Sequence, residues 1–157
     1  MNDLPDGWPR IASSIYYDDP RAGIDWLCKA FGFEVRFLVE GPDGSLMHSE
    51  LVYGDGVVMV AGSGSRPFFR SPGQAGGGNT QSLMVMVDDV DAHYARAKEH
   101  GAEIFQEPMV SDYGEAYWTD RSYGAIDPGG HHFWFVQRIK TGNPCWSQVR
   151  NKVDKHG

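Results

Sequence analysis

The chain has 157 residues, 41% hydrophobic and 13% aromatic, enough for a core built from one domain or two small modules. Charged residues make up 22% and the formal charge is −7, which argues against electrostatic attachment to nucleic acid or to an anionic membrane surface. No apolar run approaches the roughly 18 residues of a membrane span. The first ten residues carry no apolar signal segment, and the cysteines, Cys28 and Cys145, form no disulfide framework or zinc motif. A cytoplasmic protein with reduced thiols is expected.

Residues 11–18 read as a strand, with Ala12, Ser14 and Tyr16 on one face and Ser13, Ile15 and Tyr17 on the other. Asp19 stands where a helix N-cap belongs and Pro20 at the first helical position. That helix is predicted to reach Phe31, burying Trp26, Leu27, Ala30 and Phe31, with Gly32 as its left-handed stop. Strands follow over Glu34–Glu40, Leu46–Tyr53 and Val57–Ala61, joined through Pro42-Asp43-Gly44 and Gly54-Asp55-Gly56. Residues 63–80 are rich in glycine and read as a linker, although Phe68 and Phe69 suit a cover for a cleft or a contact with a partner.

A second series begins with a strand over Gln81–Val87 and a helix from Val90 to His100, with Val90, Tyr94 and Ala97 on one stripe and Gly101 as its stop. Strand character resumes at Glu103–Gln106, residues 107–114 read as a loop, and Ala116–Ile126 as a strand. Asp127-Pro128-Gly129-Gly130 is a tight turn before a last strand, His131–Arg138. Residues 139–157 are a polar tail with Trp146 as its one apolar anchor. The Asp-Asp helix start and the glycine stop recur about 70 residues apart, so the chain holds two copies of one βαβββ unit, 11–62 and 81–138. The expected fold is α+β, and a cleft between the halves is the expected ligand site.

These units, the Asp19-Pro20 helix start and the closing Asp127-Pro128-Gly129-Gly130-His131 turn resemble the glyoxalase/bleomycin-resistance/dioxygenase (vicinal oxygen chelate) superfamily. Its PhnB-type branch is suggested by His48-Ser49-Glu50-Leu51 before Tyr53-Gly54-Asp55-Gly56, and by Asp120-Arg121-Ser122-Tyr123-Gly124. The resemblance implies two modules forming a curved sheet around a cleft. In metal-dependent members, His, Gln or Glu ligands come from the first and last strand of each module. The matching positions here are Ala12, Ser82 (or Gln81 with a one-residue slip), Met59 or Val60, and Trp134. A set so poor in nitrogen and carboxylate donors predicts no metal cofactor.

His48 and Glu50 lie two apart on one strand face, so they can line a cavity together and serve as candidate acid–base residues. With His132 they form an alternative set of ligands for a divalent metal, whereas His131 belongs to the turn; His93, His100 and His156 read as solvated. Tyr16, Trp118, Tyr123 and Trp134 are candidate aromatic ligand contacts, Arg121 and Glu115 polar ones, and Met47, Met59, Met84 and Met86 an adaptable lining. The resulting expectation is a homodimer that binds a small, partly aromatic molecule to sequester it. The alternatives are a metal-dependent lyase or dioxygenase, or a regulatory dimer with a filled cleft.

Overall fold

A computed structural model describes residues 4–142. In the first module, strand β1 (Ser13–Tyr17) leads into helix α1 (Pro20–Trp26), a π-helical turn (Leu27–Phe31), and strands β2 (Glu34–Glu40), β3 (Leu46–Tyr53) and β4 (Gly56–Gly62). The second repeats the order as β5 (Leu83–Met86), α2 (Val90–Glu99), β6 (Glu103–Asp112), β7 (Trp118–Ile126) and β8 (His132–Thr141). Each module is a four-stranded mixed sheet, β1-β4-β3-β2 and β5-β8-β7-β6, with its first strand parallel to its last. The fold is therefore α+β, one βαβββ topology built twice.

The repeated landmarks act alike in both copies. Asp19 caps α1 by accepting the Ala22 N–H at 3.1 Å, and Asp89 caps α2 by accepting that of Ala92 at 3.0 Å. Gly32 and Gly101 then take φ of 76° and 80°, a left-handed conformation that a side chain disfavours. Between these marks, the helix-side residues of both modules enter one core. Ile15, Leu51 and Val60 from the first sheet join Tyr123, Ala125, Phe133 and Phe135 from the second, with Leu27, Phe31, Val90 and Ala97 from the helical segments.

Phe31, at the end of the π-helical turn, ties the modules together. Its ring centroid lies 4.9 Å from that of Phe133 and 4.7 Å from that of Phe135. The helices are bonded directly as well: Trp26 Nε1–H donates to the His100 carbonyl at 2.9 Å, and Arg96 donates to the carbonyls of Lys29 and Cys28 at 2.7 and 2.9 Å. Tyr17 crosses to the second module and donates its hydroxyl to Asp127. Its ring fits because residues 23 and 129 are glycines; a Cβ at either would sit 2.6 Å from it.

The structure departs from the sequence expectations in several places. Strand β6 runs to Asp112, through residues 107–112 that were expected to be loop. Pro108 is tolerated because β6 is an edge strand whose register shifts between Gln106 and Met109. Strand β8 continues to Thr141, into the expected tail, because Trp118 and Thr119 of β7 give it partners. Strands β1 and β5 are shorter than expected, leaving Ala12, Gln81 and Ser82 just ahead of them. His93, expected to be solvated, is only 9% exposed, since α2 buries Val90, His93 and Ala97 at helical spacing. Trp26 is half-buried against the core. Cys145, Trp146 and His156 lie outside the described residues. Among the described residues, no helix is long and apolar enough to cross a membrane.

Candidate functional site

Side chains alternate along a strand, so the faces of both sheets turned away from the helices carry the residues left out of the core. On the first sheet these are Ser14 and Tyr16 of β1, paired with Met59 and Ala61 of β4, and His48 and Glu50 of β3. The β3–β4 ladder ends at Leu51, and there Ser49 takes over. Its hydroxyl accepts the Val60 N–H at 2.9 Å and donates to the Val60 carbonyl at 2.6 Å. Glu50, 8% exposed, is thereby held on the open face, 2.9 Å from His48 Nε2 through Oε1 and 3.4 Å from Arg36 Nε through Oε2. Arg36 in turn lies 5.2 Å over the Trp8 ring and donates to the Gly7 carbonyl. With its carboxylate engaged on both sides, Glu50 is suited to orienting the His48 imidazole rather than to acting as a free base.

On the second sheet, Phe133 and Phe135 point into the core, which turns His132 and Trp134 to the open face beside Met84 and Met86. Phe105 of β6 leans edge-on against Trp134, with centroids 5.0 Å apart and planes at 88°, and lies 5.3 Å from the His132 ring. Residue 124 is glycine because Phe105 occupies the space a Cβ would need. The result is a broad apolar surface: Met84 is 66% exposed, Met86 46% and Phe105 40%.

The remaining candidates lie elsewhere. Tyr123 is fully buried on the helix side, where His93 Nδ1 is 2.6 Å from its hydroxyl and His93 Nε2 is 2.9 Å from the Phe31 carbonyl. It belongs to the core and not to a cleft wall. Arg121 shares that side of β7 and makes a two-pronged ion pair with Asp91 at the start of α2, at 3.0 and 2.6 Å. Alternation from Tyr123 explains both corrections. Trp118 sits at the outer end of β7, against Tyr113 and Tyr117 and 5.0 Å under Arg138, and Glu115 is exposed in the turn before it.

The positions matched above to metal ligands hold few nitrogen or carboxylate donors. Met59 and Trp134 are half-buried, Val60 is buried, and Gln81 donates its amide Nε2–H to the Ser13 hydroxyl at 2.9 Å, which leaves its Oε1 unused by that bond. Among the described residues, no three His, Cys, Asp or Glu side chains gather closely enough to hold an ion, so His48, Glu50 and His132 do not converge within the chain. Cys28 is half-buried, and desolvation raises its thiol pKa, the reverse of what a nucleophile needs.

A cavity of about 460 Å³ lies at the junction of the modules, beneath the linker. Tyr16 forms part of its wall, and Phe69 stacks on that ring at 4.3 Å and 21°. The sequence flagged the two phenylalanines of this loop but not the polar residues that hold it. Asp18 Oδ1 accepts hydrogen bonds from Ser63, Ser71 and Gln74, contacts far apart in sequence that no local motif announces.

Comparison with known proteins places this fold in a class. The sequence matches the Glyoxalase/Bleomycin resistance protein/Dioxygenase superfamily over residues 9–135, and the chain belongs to that superfamily. An uncharacterized protein of Mycobacterium bovis is 32% identical over 143 residues, covering 86% of this chain and 87% of the relative. TioX from Micromonospora sp. ML1 is 32% identical, with a TM-score of 0.62 over 82% of this chain and 95% of TioX. A superfamily member from Sphaerobacter thermophilus DSM 20745 shares the fold at a TM-score of 0.65 and 20% identity, covering 82% of this chain and 97% of its own.

Proposed function

We propose that this protein is a metal-free, PhnB-type member of its superfamily that binds a small, partly aromatic molecule between its modules and sequesters it. The observation that carries this reading is the set of residues at the family's ligand positions, above all Trp134. A half-buried indole braced edge-on by Phe105 fills the place of a metal-binding carboxylate and offers a flat surface for stacking. A second copy of the chain is part of the reading: the open faces leave Phe37 55% exposed, Met84 66% and Met86 46%, and pairing these faces across a two-fold axis would wall the binding site with both modules.

The rival is a metal-dependent lyase or dioxygenase, favoured by the 2.9 Å His48–Glu50 contact. Metal content of protein purified without chelators separates the two, together with a thermal-shift screen of planar aromatic compounds. Expected are sub-stoichiometric metal and one or more compounds that raise the melting temperature. Stoichiometric Zn, Ni, Mn or Fe lost on His48→Ala would reverse the assignment.

A further inference from the structure

The cavity beneath the linker has a charge pattern at odds with the rest of the chain. The protein carries a net charge of −7, yet among the described residues the cavity is lined by Arg70, His131 and His132 and by no Asp or Glu. Four other arginines, Arg21, Arg36, Arg121 and Arg138, are each paired with a carboxylate. Among the described residues, Arg70 makes only a bond from Nη1 to the adjacent Phe69 carbonyl, at 3.1 Å. From the small-molecule reading above, on which this inference rests, we infer that the cavity takes a planar aromatic carboxylate, with Arg70 as the residue that selects for the charge.

Geometry supplies each part of that recognition. The aromatic part has Tyr16 and Phe69, already stacked, with Phe68 standing edge-on to Phe69 at 4.7 Å and 72% exposed. The anion has Arg70, whose planar guanidinium matches a carboxylate with two parallel N–H donors. His132 also lines the cavity; its Nδ1 is shielded from water and has no hydrogen-bond partner among the described residues, so a ligand or water meets it only if the ring turns. His131 turns Nδ1 toward Asp127, at 3.1 and 3.2 Å, so the other ring nitrogen is the one left for a ligand.

The two nearby carboxylates are already engaged. Asp127 is fully enclosed and accepts from Tyr17 and from the His131 backbone N–H; Asp18 is bonded to Ser63, Ser71 and Gln74. These bonds also fix the roof. Ser71, next to Arg70 and 2% exposed, is held by its hydroxyl's bond to Asp18, and Asn79 Nδ2 donates to the Gly130 carbonyl at 2.6 Å. A roof held in place before binding lowers the ordering cost of capture. A volume of about 460 Å³ accommodates a fused two-ring acid.

The test is calorimetric titration of the full chain with 2-naphthoate, its neutral isostere 2-naphthamide, and cyclohexanecarboxylate. Expected is one site for naphthoate, with the amide weaker by about tenfold, the worth of one charge-assisted hydrogen bond, and no measurable binding of the saturated acid. Arg70→Gln should erase the preference for the acid and leave the amide unchanged, whereas Arg121→Gln should leave both unchanged. Arg70 is exposed, so its replacement spares the fold, and an unaltered melting temperature checks this. Equal affinity for acid and amide, or no effect of Arg70→Gln, overturns the inference. Binding of neutral aromatics lost on Trp134→Ala, without binding of naphthoate, overturns it too while sparing the small-molecule reading; silence from every compound removes both.

Discussion

The two faces of each sheet carry similar residues to opposite ends. On the helix side, Phe31, Phe133, Phe135 and Tyr123 are fully buried and tie the two modules into one core. On the open side, Met84, Met86, Phe105 and Phe37 are apolar as well, yet 40–66% exposed. Apolarity on the helix side holds the fold; on the open side it is surface kept free for a ligand or a second copy. The comparison also separates the histidines. His93 is enclosed by Phe31, Tyr123 and Phe135, whereas His48 and His132 remain on the faces where chemistry or binding can reach them.

The strongest way to break this division is at Phe31. Phe31→Ala removes a ring wedged between Phe133 and Phe135, and a cost of about 3–5 kcal/mol is expected from transfer and cavity terms together. Urea unfolding measures it; a loss below about 1 kcal/mol would mean that the modules do not depend on one core.

The pH dependence of stability tests the enclosed histidine. Burial lowers the His93 pKa below its ordinary value, so the folded state holds this ring neutral while the unfolded chain takes up a proton. The stabilisation is complete above about pH 6.5, the unfolded value, and is lost as pH falls toward the lower folded value. Stability should thus drop on acidification, by at most ~1.4 kcal/mol per pH unit for this one proton. The slope should be smaller in His93→Gln, which keeps polar contacts to Tyr123 and the Phe31 carbonyl but cannot titrate. Equal slopes in the two proteins would remove His93 as the source.

The starts and stops of the helices were the legible part of the sequence. Asp19-Pro20, Gly32, Asp89 and Gly101 are local signals whose chemistry acts within a few residues, and each does in the structure what its type dictates. Much of the rest depends on distant partners. Tyr123 and Arg121 read as cleft residues because only alternation from Phe133 and Phe135, one strand away, reveals their side. Pro108 suggested a loop because nothing near it announces an edge strand with a shifted register. The charge pattern of the linker cavity was invisible for the same reason: Tyr16, Arg70 and His131 are far apart in the chain and meet only in the fold.

A smaller effect is expected from Gly124→Ala, which separates the open face from the core at a single atom. The added methyl group needs the space of the Phe105 ring, which is 40% exposed and free to swing outward. Overpacking in a rigid core costs about 1–3 kcal/mol, so a cost near or below the bottom of that range is expected here. Loss of the edge-on contact with Trp134 should register as a change in tryptophan fluorescence. A full core-sized penalty would show that the open face is as tightly packed as the helix side.

The smallest change in intrinsic stability should follow Met84→Gln with Met86→Gln. Both side chains face solvent in the single chain, so each substitution should shift its stability by no more than about 0.5 kcal/mol. Their effect on assembly should be larger. If a second copy covers this face, the unfolding midpoint of the wild type rises with protein concentration and that of the double variant does not, because only the dimer gains by mass action. Sedimentation should then give a dimer for the wild type and a monomer for the variant. A monomeric wild type would leave the apolar open face to the ligand alone, and would make Trp134, rather than a partner, the reason that face has stayed apolar.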